Sequence, residues 1–260
     1  MTLDNPPKVL TPVGGSGTRL IPLTLTEIGH PKPLVELLNI ATLERIFENL
    51  VVYGCRDIWF VGYDYADPIR QYFKKGEGFT SRTSITPEAI FNYFVKKDQG
   101  NANGVMQALY QKDLKNRYRI EGDVLIINGD NITDVDVEAM MKFHRENNAH
   151  FTIPLAKVDD VTQYGVVELD GPCIKNFIEK PKTAEEVSTN LAAMGIYVTS
   201  AEFLREIFHK MREDGLEGND FGSQVVPYIL RSGYTLCGYV HNGYWIDIGS
   251  PETLLQTSVD

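Results

Sequence analysis

The sequence predicts an α/β domain with a mostly parallel central sheet, helices on both faces, and an inserted lobe of mixed or antiparallel strands. In the first half of the chain, short apolar runs alternate with amphipathic segments, as in parallel βαβ units. From about residue 149, strand-like runs follow one another closely and are separated by Gly-Pro and Lys-Pro turns. The first pattern predicts the parallel sheet, and the second predicts the mixed lobe.

The elements of the first half follow from apolar runs of strand length and from helical periodicity between them. The predicted strands are residues 8–13, 57–62, 89–95 and 123–128, and the predicted helices are 42–54, 66–74, 103–114 and 135–147. Ligands of open α/β sheets bind at the carboxyl ends of the strands. The loops that follow the first and the last of these strands are therefore candidate binding segments.

The second half supplies the lobe and the closing helices. The predicted strands are 150–158, 164–170, 173–180 and 191–198, the predicted helices are 201–214 and 220–233, and a strand-rich segment 234–249 precedes a final helix at 250–258. No Ser/Gly-rich linker or repeat interrupts the chain. The sequence therefore predicts a single domain over 1–260, with halves of about 1–148 and 149–260.

Composition and charge narrow the function classes. A net charge of −10 without a basic stripe argues against nucleic acid as the main partner. No signal peptide opens the chain and no apolar run approaches the ~18 residues of a spanning helix, which predicts a cytoplasmic protein without a membrane partner. Cys55, Cys173 and Cys237 are far apart in sequence and predict reduced, buried thiols instead of a zinc site.

A glycine-rich loop follows the first predicted strand, in the segment TPVGGSGTRLIPLT at 11–24. A Walker A loop would need a lysine and a hydroxyl residue where Thr18 and Arg19 stand, and a dinucleotide fingerprint would need a glycine in place of Leu20. The simplest alternative is a tight turn in which glycines supply positive φ. Three glycines in four residues, followed by a threonine and an arginine, instead favour backbone amides that hold a phosphate group.

Three charged residues have sequence neighbours that make them candidate site residues. Lys32 lies between two prolines that fix its backbone, although an exposed surface lysine is the simpler interpretation of that residue alone. Asp130 follows a buried strand and an Asn-Gly turn, and its alternative role is to cap the helix that begins near Asp134 or Asp136. Asp247 lies in the apolar stretch YWIDIG, where a carboxylate needs a cation, from a nearby arginine or from a metal.

Seven motifs in order along the chain resemble the signature of the sugar-1-phosphate nucleotidyltransferases. They are GGSGTRLIPLT followed by PKPL, NGVMQA (103–108), INGDN (127–131), YGVVE (164–168), EKP (179–181), GIY (195–197) and YWIDIGSPE (244–252). The resemblance implies a Rossmann-like catalytic domain that transfers a nucleotidyl group from an NTP to a hexose 1-phosphate and releases pyrophosphate. Glucose 1-phosphate with dTTP or UTP is the expected pair, and homo-oligomers are common in the family.

The resemblance also assigns roles to individual residues. The residues expected to bind the nucleotide are Gly14, Gly15, Gly17, Thr18, Gln99 and Gly104. The residues expected to bind the sugar phosphate are Tyr164, Gly165, Glu179, Lys180 and Tyr197. Arg19 would stabilise the departing pyrophosphate, and Lys32 would neutralise the α-phosphate or the sugar phosphate. Asp130 and Asp247 would hold Mg²⁺.

Three alternatives stay open at this point. Lys96 aligns as well as Gln99 does with the base-reading position, because the segment YFVKKDQGNANG is longer than its counterpart in thymidylyltransferases. The DFGSQVVPYIL and GYWIDIGSPE segments are also similar to guanylyl- and adenylyltransferases, so the nucleobase is open, with CTP included. A non-catalytic homologue that binds a nucleotide sugar is a further alternative, although such a protein is expected to lose the charged residues that are all present here.

Overall fold

The computed structural model describes residues 3–14, 20–21, 24, 31–62, 66–74, 77–86, 91–95 and 100–259. The strands are β1 (Lys8–Pro12), β2 (Glu36–Leu37), β3 (Ile40–Ala41), β4 (Ile58–Gly62), β5 (Phe91–Val95), β6 (Asp123–Ile127), β7 (Asn131–Thr133), β8 (Phe151–Lys157), β9 (Gly165–Asp170), β10 (Cys173–Glu179), β11 (Leu191–Ala193), β12 (Ile196–Ser200), β13 (Leu236–Val240) and β14 (Trp245–Asp247). The helices are α1 (Thr42–Val52), α2 (Ala66–Lys74), α3 (Glu77–Thr83), α4 (Asn101–Leu109), α5 (Val137–Glu146), α6 (Ala201–Glu213), α7 (Val226–Arg231) and α8 (Pro251–Val259).

Ten of these strands form one mixed sheet in the order β11-β9-β10-β13-β8-β12-β6-β1-β4-β5. The strands β6, β1, β4 and β5 are mutually parallel, as the alternating pattern of the first half predicts. Beyond β6 the pairing becomes mixed, because β12 runs antiparallel to both β6 and β8. The predicted α/β class with a parallel region and a mixed lobe is confirmed.

The lobe is a small closed ring of strands that grows out of the main sheet. Strand β8 pairs with β12 through its first residues and with β11 through its last. The predicted continuous strand 191–198 is therefore wrong, because Gly195 with φ of +69° turns the chain between β11 and β12. Strands β11, β9, β10 and β13 then lead back to β8 and close the ring.

The central strands are buried on both faces, which explains their uninterrupted apolar runs. Successive residues of β4 alternate between two cores, with Ile58 and Phe60 on one side and Trp59 and Val61 on the other. Helices α1, α2, α3 and α5 cover the first face, and α4, α6 and α7 cover the second. The predicted coverage of both faces is confirmed. Among the described residues, no helix has the length and apolar character needed to cross a bilayer.

Two of the predicted helices differ from their predicted bounds by more than two residues. Helix α4 ends at Leu109 and not at residue 114, because Asp113 accepts hydrogen bonds from the backbone N–H groups of Lys115 and Arg117 and folds the following segment into a turn. The predicted helix 220–233 begins with a π turn, Phe221–Val225, before α7. Asp220 caps this turn by accepting from the Ser223 N–H at 2.8 Å.

Candidate active site

Lys32 is the cation that connects two acidic residues from distant parts of the chain. The two flanking prolines hold it in a single 3-10 turn, Lys32–Leu34, and this rigid turn directs its side chain inward. Its Nζ forms a salt bridge with Asp130 Oδ2 and lies 3.7 Å from Asp247 Oδ1. The side chain is only 18% exposed, so the simple interpretation of Lys32 as a free surface lysine is wrong.

Backbone pairing brings the two aspartates together. Strand β14 pairs with β7 so that Asp247 lies opposite Asn131, and the Ile248 N–H donates to the Asp130 carbonyl oxygen at 2.9 Å. Asp130 does not cap a helix. The cap of α5 is Asp136, whose carboxylate accepts from the Ala139 N–H at 3.0 Å. The backbone hydrogen bonds around β7 and β14 therefore hold Asp130 and Asp247 close to each other.

Asn131 is a positioning residue that the sequence interpretation did not identify. Its Nδ2 donates to Asp130 Oδ1 at 3.0 Å, and its Oδ1 accepts from Trp245 Nε1 at 2.9 Å. The side chain is 2% exposed, so neither hydrogen bond competes with bulk water. Asn131 therefore fixes the Asp130 carboxylate against the strand that ends at Asp247. The motif INGDN ends on this amide, but its place beside an aspartate does not by itself indicate the hydrogen bond to Trp245.

A cavity of about 410 Å³ opens beside these residues. It lies between the closed ring of strands and the π turn, and Asp247 is on its wall. The five residues expected to bind the sugar phosphate all line it, namely Tyr164, Gly165, Glu179, Lys180 and Tyr197. Residues far apart in sequence are thus collected in one cavity, with the two aspartates near its edge.

Glu179 is an acidic residue of the cavity wall that two glycine backbones approach closely. Its carboxylate lies between two glycines, because a Cβ added at Gly165 would come within 2.8 Å of Glu179 Oε2, and one added at Gly222 within 2.4 Å. Burial raises the pKa of Glu179, the charge of Lys180 opposes this rise, and the nearby Asp220 carboxylate adds to it. Asp220 also lines the cavity and was not among the predicted site residues.

The backbone bends where Glu179 gives way to Lys180. Strand β10 ends at Glu179, and Lys180 has a φ of +47°, a conformation rare for residues other than glycine. The Lys180 N–H donates to the Tyr164 carbonyl oxygen at 3.0 Å, which holds this bend. Neighbouring strand residues normally face opposite sides. The bend lets both side chains line one cavity, with the Lys180 Nζ 4.0 Å from Glu179 Oε1.

Aromatic rings form the apolar part of the cavity wall. Tyr164 packs edge-on against Trp245 with ring centroids 5.2 Å apart. Tyr197 is 5% exposed and its ring lies 4.9 Å from that of Phe221, the first residue of the π turn. Burial, together with the nearby charges of Glu179 and Asp220, raises the pKa of Tyr197, so its hydroxyl stays protonated at neutral pH.

The predicted nucleotide-binding residues are only partly within the described chain. Gly14 is exposed just beyond the end of β1, and the backbone of Gly62 at the end of β4 approaches it closely. Gly104 is buried in α4, whose first residue Asn101 lines the cavity. The remaining predicted residues lie outside the described residues, namely Gly15, Gly17, Thr18, Arg19 and Gln99, with the alternative Lys96.

The chemistry of the donors fits a hard divalent cation. Carboxylate oxygens of Asp130 and Asp247 both lie near the Lys32 ammonium group. A metal ion at or near the position of that ammonium group would therefore contact both carboxylates. Among the residues that the structure describes, no three His, Cys, Asp or Glu side chains cluster as a metal site. Mg²⁺ commonly takes only one or two carboxylates and completes its shell with water and substrate phosphates. Two aspartates therefore match Mg²⁺ better than a metal that needs an all-protein site.

Comparison with protein families gives one match over most of the chain. The family model described as nucleotidyl transferase matches residues 9–260. The glucose-1-phosphate adenylyltransferase of Clostridium novyi is 34% identical over 171 residues, which cover 64% of this chain and 44% of that protein. The protein of the same name from Mycoplasma mobile is 30% identical over 176 residues, which cover 66% of this chain and 45% of that protein. The chain thus spans less than half the length of these relatives.

Solved structures with the same fold cover nearly the whole chain. A candidate glucose-1-phosphate thymidylyltransferase from Bacillus anthracis superposes with a TM-score of 0.76 at 21% identity, over 97% of this chain and 94% of that one. HddC from Yersinia pseudotuberculosis superposes with a TM-score of 0.73 at 21% identity, over 97% of this chain and 98% of that one. At this identity the likeness establishes the fold.

Proposed function

The chain belongs to the nucleotidyl transferase family, and we propose that it transfers a nucleotidyl group from an NTP to a hexose 1-phosphate with release of pyrophosphate. The observation that carries this proposal is the placement of Lys32, Asp130 and Asp247 at the edge of the cavity that Glu179 and Lys180 line. Phosphate-directed charges and groups suited to sugar hydroxyls thus meet in one site.

The proposed reaction needs charge neutralisation and alignment more than proton transfer. The attacking oxygen of a sugar 1-phosphate is already ionised at neutral pH, so no general base is required. Two unit charges ~4 Å apart repel by about 4 kcal/mol at an effective dielectric near 20. Lys32 supplies a cation beside the reacting phosphates, Lys180 adds positive charge to the cavity wall, and Arg19 is proposed to stabilise the departing pyrophosphate.

We propose Mg²⁺ as the cofactor, held by Asp130 and Asp247. When bound, it would polarise the phosphate oxygens and neutralise part of their charge. The chain's own contribution is to keep the two carboxylates in place through Asn131 and through the pairing of β7 with β14. Lys32 contacts both carboxylates and would turn toward a phosphate group when the substrates bind.

Glucose 1-phosphate is the proposed acceptor, because the curated relatives are named for it. The cavity supports a sugar at this place, since Glu179 offers acceptor oxygens to hydroxyl groups and Tyr164 and Trp245 offer apolar ring surface. The donor is dTTP or UTP on the motif resemblance, and ATP by the names of the curated relatives. Pyrophosphate release with each donor in turn compares them directly.

The test is pyrophosphate release by the purified protein in MgCl₂. ATP, dTTP, UTP, GTP and CTP are each combined with glucose 1-phosphate and with other hexose 1-phosphates. Asp130→Asn and Arg19→Ala should each lower the rate by at least about 100-fold, as expected when a group that neutralises transition-state charge is lost. Asp170→Asn, at the exposed end of β9, is the matched control and should keep the full rate.

Two results would decide against the proposal. Pyrophosphate release that does not require a hexose 1-phosphate would indicate hydrolysis of the nucleotide. Absence of release from every pair, with nucleotide-sugar binding still measurable by calorimetry, would favour the non-catalytic homologue.

A further inference from the structure

Two of the three cysteines, far apart in sequence, are direct neighbours in the sheet. Cys173 begins β10 and Cys237 lies in β13, and the pairing of these antiparallel strands consists of this one residue pair. Cys173 is exposed and Cys237 is buried. The expectation of buried thiols is therefore wrong for Cys173 and confirmed for Cys55 and Cys237. The ring of the lobe brings β10 back against β13, so Cys173 and Cys237 are neighbours although they are far apart in sequence.

The backbone hydrogen bonds define the geometry of the pair. The Gly238 N–H donates to the Pro172 carbonyl oxygen at 2.9 Å, so the hydrogen bond is made by the residues flanking the two cysteines. This is the pattern of a non-hydrogen-bonded antiparallel pair, in which opposite Cα atoms are ~4.5 Å apart and side chains project to the same face. Disulfides span Cα separations of about 4.4–6.8 Å. The two sulfurs can therefore be joined without moving either strand far.

We propose that Cys173 and Cys237 form a redox-active dithiol that closes to an intramolecular disulfide when the protein meets a low-molecular-weight disulfide. The site is independent of the proposed nucleotidyl transfer. It would tie β10, which ends at Glu179, to β13, which leads through residues 241–244 to β14.

The solvent exposure of the two sulfurs indicates which of them reacts first. Cys173 follows the tight turn at Gly171 and Pro172 and is open to solvent, so it meets the reagent first. Burial raises the pKa of Cys237 to about 11, and its contact with the Cys173 thiol adds to this rise. Cys237 therefore stays protonated and unreactive until a mixed disulfide on Cys173 places an electrophilic sulfur beside it.

The reaction balances as two thiol–disulfide exchanges. The Cys173 thiolate attacks one sulfur of the small disulfide, forms an S–S bond with it, and releases one small thiolate. Cys237 then loses its proton to solvent and attacks the Cys173 sulfur, which releases the second small thiolate. The two protein thiols are oxidised to one disulfide, and the small disulfide is reduced to two thiols.

The test uses the full chain, first reduced and then incubated with glutathione disulfide at mildly alkaline pH. Intact mass and peptide mapping after rapid alkylation should show loss of two hydrogens, no retained glutathione, and a linked peptide that contains Cys173 and Cys237. Cys237→Ser should retain one glutathione on Cys173, and Cys173→Ser should not react in the native state. Cys55→Ser is the matched control and should close like the wild type, since burial raises the pKa of Cys55 to about 12.

Three results would overturn the proposal. Glutathione that remains on Cys173 of the wild type would show that Cys237 cannot reach the mixed disulfide. Both thiols left free for alkylation would show that Cys173 does not react. A linked peptide that contains Cys55 would show that the exchange proceeds through an unfolded state, because Cys55 is buried in another part of the fold.

Discussion

Replacing Gly222 by alanine tests how the π turn shapes the proposed sugar site. Gly222 faces the Glu179 carboxylate directly, and an added Cβ would lie 2.4 Å from Oε2 and 2.9 Å from Cδ. Because ordinary van der Waals contact begins near 3.4 Å, the carboxylate must withdraw by about 1 Å. The Glu179 carboxylate is the far end of a flexible side chain, so it should move before the backbone of the turn does.

The expected cost falls on function and not on folding. A displacement of about 1 Å of a group that positions substrate can lower the rate by roughly 100-fold. Alanine is favoured over glycine in helical conformations by about 0.5–1 kcal/mol, so the free energy of unfolding should be unchanged or slightly higher. We therefore expect a fall in kcat/KM for the hexose 1-phosphate of roughly 30- to 100-fold, with an unfolding midpoint at or above that of the wild type.

The assay measures kcat/KM for pyrophosphate release together with thermal unfolding of the same samples. A double-mutant cycle with Glu179→Ala is the control, because an effect transmitted through the Glu179 side chain should largely disappear when the atoms that the added Cβ displaces are already absent. Equal losses in both backgrounds, or a drop of several degrees in the unfolding midpoint, would refute the reasoning, since either result would mean that the added methyl group acts by distorting the turn.

Three other perturbations test neighbouring contacts. Asn131→Ala removes two buried hydrogen bonds, one of them to a carboxylate, and should lower the free energy of unfolding by about 2–4 kcal/mol in urea titrations. Glu179→Gln should raise the free energy of unfolding at neutral pH. Burial raises the pKa of Glu179, so the folded state holds the carboxyl proton more tightly than the unfolded state does. The stability of the wild type should therefore fall as the pH rises from 4.5 through the raised pKa, whereas that of the variant should not. The advantage of this variant should vanish below pH 4.5, as unfolding midpoints measured on both sides of that pH would show. Lys32→Met leaves two carboxylates without their shared ammonium, so MgCl₂ should raise its unfolding midpoint more than that of the wild type, and equal shifts would contradict a cation site between these aspartates.

The parallel half of the fold could be predicted because nearly every residue of its strands is apolar. Strand β4 is apolar throughout since alternate residues enter two different cores, and such runs separated by helices leave few alternatives. The break between β11 and β12 could not be predicted in the same way. LAAMGIYV has the composition of one strand, and only the positive φ of Gly195 and the divided partners of β8 separate it into two.

The candidate site shows where residue type was sufficient and where geometry was needed. Lys32, fixed between prolines, and Asp130, placed after a buried strand, had local sequence features that marked them as candidate site residues. Asn131 and Asp220 had no such feature, because their importance comes from what lies opposite them across the fold. A short polar residue next to an aspartate, or at the start of a helix-like segment, has many ordinary uses. Only the assembled structure places Asn131 between Asp130 and Trp245, and Asp220 near Glu179.

The acidic residues of the site divide into two groups with different electrostatic settings, and this division supports a site for two unlike substrate parts. Asp130 and Asp247 share the ammonium of Lys32, so a cation already stands where a metal and phosphates are proposed to bind. Burial makes Glu179 costly to ionise, the charge of Lys180 opposes part of that cost, and the Asp220 carboxylate adds a smaller increment to it. A carboxylate so placed is stabilised by neutral donors such as sugar hydroxyls, whereas a phosphate there would be repelled. If the proposed hexose 1-phosphate binds here, the polarity of the cavity favours one orientation, with the sugar hydroxyls toward Glu179 and the phosphate toward Lys32.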